Sequence, residues 1–552
     1  MISQQRILIV LSCIALFCTG CPSKAPPAGT TGGGKTGKQD PADQRCADNL
    51  DNAFSSLDPY RLEIDADIEA TATVLNSWLS TCGTSEWENP ELLKKLDRLL
   101  SDQQMTDLQG ERFGSRDVTH IRTAILLRRI AEQASANADS DLERATRLFE
   151  YVARNVVPQP DNQNIPLTLY QVVLFGRATA EHQAWLFAEL LHQLRIDAVI
   201  LTPQEETSSW VTAVCLDDGN YLFDFSLLTP VPRDAEKSWP ISTPATLKEV
   251  IQKPEILASL RALGSQVPTA ESLKNPAVWI PSETTFWSMR MRSLNQTQTG
   301  SATLLADALL DGDYGQGILS RVDDASERWK RDDIRIWDFP EDQLSRYWSI
   351  SPNSSQSQAL RARIMPFHAP LEVEVNKEKQ DIKITEKGNK QWMARLSQLE
   401  GDFTKAIMTF GGLRIGSKST RNLMAAQDVD AQFQIILQRE DVAAEDAHFW
   451  VAISQLESGE ITNAKTTLRD YLNRYESARW TDAVRYLLAR IHLMNDDYSL
   501  AAEQLDQILQ TSSLKNAAAF LKSRFPESSN TSEPNTDEKQ ESSADGTDEG
   551  NS

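Results

Sequence analysis

Histidine and cysteine are scarce in this chain, with six of each among 552 residues. The histidines are scattered, and beyond residue 21 no C-x-x-C or H-x-x-x-H spacing occurs. Zinc sites are commonly built from such closely spaced ligands. We therefore expect neither a metal site nor another cofactor.

Positive charge is also in deficit, because 56 Lys and Arg residues face 78 Asp and Glu residues, for a net charge of −22. Such a surface repels a phosphate backbone, which argues against nucleic-acid binding. Eight acidic residues stand against the single Lys539 in the last part of the chain. Because no large apolar side chain follows Phe525, residues 526–552 are predicted to form a disordered acidic tail.

Long hydrophobic runs are missing apart from residues 7–17, an eleven-residue stretch that follows Arg6. Eleven residues are too few to span a bilayer, so residues 1–20 are predicted to be an export signal. The overall composition, 40% hydrophobic and 24% charged, is that of a globular protein. The chain is longer than the usual single domain with one hydrophobic core, so we expect several domains.

The residues after this run resemble a bacterial lipoprotein signal, in which a small residue precedes a lipidated cysteine. Gly20 and Cys21 fit the pattern, whereas Cys18 stands where the family usually has Leu. The resemblance implies that Cys21 carries lipid; the alternative is ordinary secretion with Cys21 as a spare thiol. Residues 21–44 are predicted to be a flexible tether. Because Pro22 replaces the Asp that retains many lipoproteins at the inner membrane, we expect an exported chain anchored in the envelope at the outer membrane or periplasmic face.

Residues 45–115 carry apolar side chains at intervals of three and four, as in 70–79 and 92–100, which predicts a small helical domain. Cys46 and Cys82 lie at opposite ends of its first part. A helical hairpin could bring them together, and an exported protein meets an oxidising environment. We therefore predict a disulfide between Cys46 and Cys82.

Residues 116–235 predict a compact α+β unit of helix, strand and hairpin. The helix carries apolar side chains at positions 184, 187, 188, 191 and 194, and a short buried strand follows at 198–201. Two further strands flank a turn at residues 217–220.

This unit is similar to the core of the transglutaminase-like superfamily. Family members read roughly G-x-C-x-[DE]-x-A-x-L-F at the helix, then an apolar strand, then H-A-W, then an Asp at the end of the next strand. Placing residues 184–187 on A-x-L-F puts Ala180 at the cysteine position. The tryptophan of H-A-W falls on Trp210, so Ser208 takes the histidine position and Asp224 the aspartate position.

The resemblance implies a papain-like fold in which a helix N-terminus and a histidine lower the pKa of a cysteine nucleophile. This chain lacks both reacting groups, because Ala180 has no ionisable proton and Ser208 is no proton shuttle near neutral pH. We therefore expect a pseudoenzyme. The alternative is an active cysteine peptidase or acyl transferase with a relocated nucleophile, for which Cys215 and His182 are the candidate pair. The opposing interpretation is that Cys215 is a buried structural thiol and that His182 is a partly exposed residue in the first turn of a helix.

Residues 236–390 predict a mixed region of short helices broken by prolines, with a β-hairpin between residues 371 and 384. Its aromatic residues are predicted to pack at core and edge positions rather than to form a ligand cage: Trp329, Trp337, Tyr347 and Trp348.

Residues 391–525 contain an internal repeat. The pattern W-x-A-x₆-G-x₄-A begins at Trp392 and again at Trp450, and its two alanines recur at Ala489 and Ala501. The pattern is similar to tetratricopeptide repeats, which implies a short helical solenoid with a concave face that binds peptides or partner proteins. A plain helical bundle is the alternative.

The whole sequence predicts a multidomain, mainly α chain with an α+β transglutaminase-like core and a C-terminal helical-repeat solenoid. The leading hypothesis for its function is a lipid-anchored, non-catalytic envelope protein that binds or scaffolds peptides or partner proteins. The second hypothesis is an enzyme with a relocated nucleophile. The third is a repeat adaptor whose degenerate domain only packs.

Overall fold

The structure is a computed structural model. It describes residues 41–62, 68–83, 94, 96, 98–159, 165–233, 240–241, 243–298, 303–312, 315–370, 372–376, 381–385, 388–416, 431–475 and 477–526. The predicted signal peptide, Cys21, most of the tether and nearly all of the acidic tail lie outside these residues, as do the side chains of the 371–384 hairpin.

Helix predominates, at 59% of the structure, as expected for a mainly α chain. The N-terminal helices are α1 Pro41–Ser56, α2 Glu69–Cys82, α3 Asp102–Leu108, α4 Ser115–Ala134, α5 Asp141–Asn155, α6 Leu169–Phe175 and α7 Ala180–His192. The middle helices are α8 Leu247–Gln252, α9 Glu255–Ala262, α10 Met289–Thr297, α11 Ile318–Asp324, α12 Asp338–Trp348 and α13 Ser355–Ile364. The C-terminal helices are α14 Lys390–Leu399, α15 Phe403–Leu413, α16 Ala431–Glu457, α17 Ile461–Arg474, α18 Thr481–Leu493, α19 Tyr498–Asp506 and α20 Lys515–Ser523.

A six-stranded mixed sheet has the order β6-β5-β4-β3-β7-β8, with antiparallel neighbours except for the parallel pair β7 and β8. Two further pairs are β1 with β2, which is parallel, and β9 with β10, which is antiparallel. The strands are β1 Val157–Pro158, β2 Arg177–Ala178, β3 Asp197–Thr202, β4 Val211–Leu216, β5 Gly219–Asp224, β6 Thr229–Pro230, β7 Ala277–Ile280, β8 Ile334–Ile336, β9 Glu372–Asn376 and β10 Asp381–Thr385.

Strand β3 is apolar at consecutive positions because both faces of the sheet are covered. Ala198 and Ile200 enter a core that they share with α5, α6 and α7. Val199 and Leu201 point the other way, into a second core built largely from the middle region. A near-continuous apolar run is the pattern expected of a strand that is buried on both sides.

Local capping fixes where the helices before the sheet begin and end. The Ser140 side chain accepts a hydrogen bond from the backbone N–H of Glu143 and starts α5. Gly176 ends α6 in the left-handed region, at φ 62°, and the chain then turns into β2. Thr179 starts α7 by accepting a hydrogen bond from the backbone N–H of His182.

The three C-terminal hairpins are α14 with α15, α16 with α17, and α18 with α19. Their turns contain Gly401 and Gly459, the glycines of the repeat pattern, and Asp496, each with positive φ. The alanines of the pattern are buried at the points where the paired helices pack. Residues with small side chains allow such close helix contact.

The first helix of each hairpin packs on the chain's own α5–α6 and β2 region. In the first hairpin, Arg395 of α14 donates a hydrogen bond to the Val173 carbonyl of α6. In the second, Glu457 of α16 lies 3.0 Å from Arg154 of α5. In the third, Arg490 of α18 pairs with Glu150 of α5. The face that a solenoid would offer to a peptide is therefore covered by the chain itself.

The largest hydrophobic core also joins these parts of the chain. The described residues after Arg45 cluster as one compact unit. The largest core contains residues of both 116–235 and 391–525. A third, smaller core holds the N-terminal helices. Within it a disulfide joins Cys46 to Cys82, the pair predicted from the sequence, with 5.8 Å between their Cα atoms.

Candidate functional site

The candidate site is the edge of the sheet where α7 begins. Because β3 pairs antiparallel with β4 and β4 with β5, the ends of β3 and β5 lie beside the start of β4. Helix α7 leads into β3 through a short turn, so its N-terminus lies at the same edge. The order of helix and strands therefore places Ala180, Ser208 and Asp224 at the same end of the sheet.

Ala180 is the first residue of α7 and is partly exposed. Its methyl group follows the Thr179 cap, so it occupies the place where a helix N-terminus would stabilise a thiolate. An alanine can neither attack a carbonyl nor exchange a proton. The helix contributes its partial positive charge and no nucleophile.

Ser208 lies in the exposed loop before β4 and points to another residue of that loop. Its hydroxyl bonds the Glu206 carboxylate, and Ser209 donates to the same carboxylate at 3.2 Å. These two hydroxyl groups lower the pKa of Glu206. The Ser208 side chain is thus bound within its own loop.

Asp224, at the end of β5, is buried and fully engaged with its own neighbours. It accepts hydrogen bonds from the backbone N–H of Ser226 at 2.7 Å, from the Ser226 hydroxyl at 2.5 Å and from the Ser265 hydroxyl at 2.6 Å. Burial raises the pKa of Asp224, and the serine hydroxyls oppose that rise. In this arrangement the carboxylate fixes a loop and orients no imidazole.

Two aromatic rings fill the space between the start of β4 and the start of α7. Trp337 lies 6.5 Å from Trp210, and Phe339 stacks on Trp337 at 5.0 Å between ring centroids. Phe339 in turn meets the His182 ring edge-on at 4.9 Å. We call Trp337 and Phe339 the aromatic plug. The packing role expected for Trp337 agrees with this position.

His182 is only 3% exposed, so the expectation of a partly exposed side chain was wrong. Phe339 and the start of α12 cover it, which the local sequence around His182 does not reveal. Burial and the nearby charge of Arg363 lower the pKa of His182 to about 3. Its Nδ1 lies 3.0 Å from the Thr179 hydroxyl. His182 therefore remains neutral and is not positioned as a general base for a thiol.

Cys215 lies at the other end of the sheet from His182. It pairs with Asp197 at the start of β3, next to the C-terminal end of α7. His182 is ten residues, or about 15 Å of helix rise, from that end. Burial, with Asp197 nearby, raises the pKa of the Cys215 thiol well above its ordinary value. The relocated pair is not brought together.

Two features that sequence reasoning missed are buried charged side chains. Arg395 is fully buried and bonds backbone carbonyls of α6. His120 is buried with its Nδ1 2.5 Å from the Glu283 carboxylate. The local sequence around Arg395 and His120 does not reveal these contacts, because the residue that each one contacts is more than 160 positions away in sequence.

No protein-family model, curated protein or solved structure matches the chain. Within the residues that the structure describes, no group of three or more His, Cys, Asp or Glu side chains is arranged to hold a metal ion. In the same part of the chain, no helix combines the length and apolar character needed to cross a membrane.

Proposed function

We propose that this chain is a lipid-anchored envelope protein whose degenerate transglutaminase-like domain and tetratricopeptide-like repeats together form a non-catalytic scaffold that binds peptides or partner proteins. The observation that supports the proposal is the arrangement of side chains at the start of α7. Ala180 stands at the nucleophile position, Ser208 is turned into its own loop, and the aromatic plug lies between them.

The same geometry argues against the enzyme hypothesis. A thiol enzyme needs its nucleophile and base within hydrogen-bond reach. Cys215 and His182 lie at opposite ends of the sheet, and the two pKa shifts leave Cys215 as a thiol and His182 as a neutral ring. Neither side chain is activated by the other.

A groove beside the repeats is the surface we assign to binding. Because the first helices of the hairpins are covered, a ligand must use another face. A cavity of about 480 Å³ lies between residues 157–159 of the β1 region and residues 477–514, which include the third hairpin and the segments on either side of it. We call it the junction groove. Leu509, 61% exposed, stands at its wall. Its size lies within the range of ligand sites.

Site-specific photo-crosslinking in intact cells tests this function. A photoreactive side chain at Leu509 is compared with one at Met408, an equally accessible position on α15 that is 74% exposed. The proposal expects discrete protein or peptide adducts at Leu509 and none at Met408. Equal adduct patterns at the two positions, or none at either, would contradict it.

The anchor is tested separately with Cys21→Ser. If Cys21 carries lipid, wild-type chain sediments with membranes and incorporates labelled fatty acid, whereas the variant is released and unlabelled. A variant that stays with the membrane fraction would refute lipid anchoring at Cys21.

A further inference from the structure

A cavity of about 740 Å³ lies at the end of the sheet where β3 begins and β4 ends, away from the start of α7. Its lining also includes the turn between β4 and β5, the start of α5 and the end of α11. We call it the sheet-end cavity. It shares no lining residue with the junction groove. Its volume is that of a site for a small molecule or for a few residues of a peptide.

One wall of the sheet-end cavity is a row of side chains on a single face of the sheet. Asp197, Cys215 and Asn220 are direct cross-strand partners in β3, β4 and β5, so their side chains point to the same face. The end of α11 covers that face. Arg321 donates to the Asp197 carboxylate at 2.7 and 2.9 Å, and the Asn220 Nδ2 donates to the Ala325 carbonyl at 3.1 Å. The carboxylate of Asp197 is therefore already neutralised.

Asn220 leaves a buried hydrogen-bond acceptor unused at this wall. Its side chain is only 7% exposed, and its Oδ1 accepts no hydrogen bond among the described residues. The two residues beside it, Cys215 and Ala325, both line the cavity. A buried acceptor without a donor is unfavourable. This wall therefore favours a ligand group that donates hydrogen bonds.

Three carboxylates of the lining have no ion-pair partner in the described part of the chain: Asp217, Asp218 and Asp324. Two of them accept a hydrogen bond, in each case from a neutral side chain. Arg195 also lines the cavity and has no ion pair among the described residues, whereas Arg321 is bound by Asp197 and Asp307. The lining thus keeps an excess of negative charge, which attracts a cation.

The position of Asp324 points to the same ligand chemistry. Asp324 is the last residue of α11, where a negative charge opposes the helix dipole. Its side chain is exposed and faces the cavity lining rather than a cation of the chain. Stability of α11 therefore does not account for an acid at this position, whereas a bound cation does.

We propose that the sheet-end cavity binds a guanidinium group of a small molecule or of a peptide. Asp217, Asp218 and Asp324 supply carboxylate acceptors, and the Oδ1 of Asn220 accepts a further N–H group. A guanidinium group suits this arrangement because it presents five N–H donors to separate acceptors at once. The site is additional to the junction groove and does not rest on the function proposed above.

Two probes separate the two sources of the guanidinium group. One is Nα-acetyl-arginine amide, and the other is an acetylated and amidated pentapeptide of alanine with a central arginine. Matched probes carry citrulline, which keeps the shape and loses the charge. Isothermal titration calorimetry with the full chain in detergent should show binding about tenfold tighter for an arginine probe than for its citrulline counterpart, and weaker in added salt. The tighter of the two arginine probes identifies the source.

Variants assign the binding to this cavity. Asp217→Asn and Asp324→Asn should each weaken binding of the arginine probe about fivefold. Both keep the fold, because asparagine suits a turn as well as aspartate does and because the charge of Asp324 opposes its own helix. Arg195→Gln should tighten binding, since it removes a like charge. The matched control is Asp470→Asn, at an exposed carboxylate on α17, which should leave the affinity unchanged.

Cys215 reports where the probe binds, because it lines the cavity. Saturating arginine probe should slow the reaction of Cys215 with a thiol reagent, and unchanged labelling would overturn the proposal. Equal affinity for the arginine and citrulline probes would also overturn it, as would wild-type affinity in both Asp217→Asn and Asp324→Asn. Displacement of the arginine probe by equimolar Ca²⁺ would contradict it in favour of a metal site. None of these failures affects crosslinking at Leu509, so they are distinguishable from failure of the scaffold function.

Discussion

The guanidinium carbon of Arg395 lies 3.5 Å from the ring centroid of Trp450. The two residues come from the first helices of successive hairpins. Arg395 also donates hydrogen bonds to the Val173 carbonyl at 2.7 Å and the Leu174 carbonyl at 3.3 Å, near the end of α6. The partial negative charge of that helix end stands in for an acidic partner. One buried cation thus ties the C-terminal hairpins to α6.

Replacing Arg395 should lower the free energy of unfolding more than its position in a repeat helix suggests. Arg395→Met leaves buried carbonyls without donors, so we expect the free energy of unfolding to fall by about 3 kcal/mol. Arg395→Lys should also destabilise, because one ammonium group cannot span the same acceptors. Urea unfolding measures both, and the exposed Arg328→Met serves as the control. Wild-type stability in Arg395→Met would show that the contact is dispensable.

Gly176, at the end of α6, lies at the same interface between α6 and the C-terminal hairpins. It has φ 62°, and a Cβ there would meet the Trp450 ring and lie 2.9 Å from the Asn155 carbonyl. We expect Gly176→Ala to destabilise by at least about 2 kcal/mol. Gly459 has φ 81° but no neighbour within 4 Å of such a Cβ, so Gly459→Ala should cost only about 1 kcal/mol. Thermal unfolding of the two variants separates contact from backbone strain, and equal losses would argue against the contact.

The pH dependence of stability should carry the signature of His120. Burial lowers its pKa, but the Glu283 carboxylate prevails and raises it to about 9. A raised folded pKa contributes stability below the ordinary value of 6.5, and this contribution is lost as the pH rises through about 9. The shift corresponds to about 3 kcal/mol. Melting temperatures from pH 6 to 10 should fall more steeply in wild type than in His120→Gln. Parallel curves would exclude this role.

The Cys46–Cys82 disulfide should stabilise the N-terminal helices. It closes a loop with a sequence separation of 36. Chain entropy for such a loop corresponds to about 4 kcal/mol. Reductant should therefore lower the melting temperature of wild type but leave the Cys46→Ala/Cys82→Ala double variant unchanged. A reductant effect of equal size in the double variant would place the sensitive group elsewhere.

Local patterns predicted most of the helices and strands around the site. The predicted apolar positions 184, 187, 188 and 191 are buried on α7, whereas Leu194 lies just beyond its end. The strand at 198–201 lies within β3, and the turn at 217–220 overlaps the β4–β5 hairpin. Capping and periodicity act over a few residues, so the sequence displays them directly. The glycines of the repeat pattern, Gly401 and Gly459, likewise lie in turns.

The rest depends on contacts between distant parts of the chain. The aromatic plug comes from residues 337–339, more than 150 positions after His182, and no local pattern links them. The burial of His182 follows from that contact. Likewise, the repeat pattern of residues 391–525 predicts hairpins but not that their first helices face α5 and α6. Tertiary packing decides these features.

The central claim is that Cys215, the free cysteine among the described residues, is not an activated thiol, and labelling of Cys215 tests it most directly. Full-length native protein is treated with a small thiol-reactive probe at pH 7, and modification of Cys215 is followed by mass spectrometry in wild type and His182→Ala. The raised pKa of the partly buried Cys215 thiol predicts slow labelling that is identical in the two proteins. Rapid, stoichiometric labelling in native wild type that His182→Ala abolishes would contradict the account.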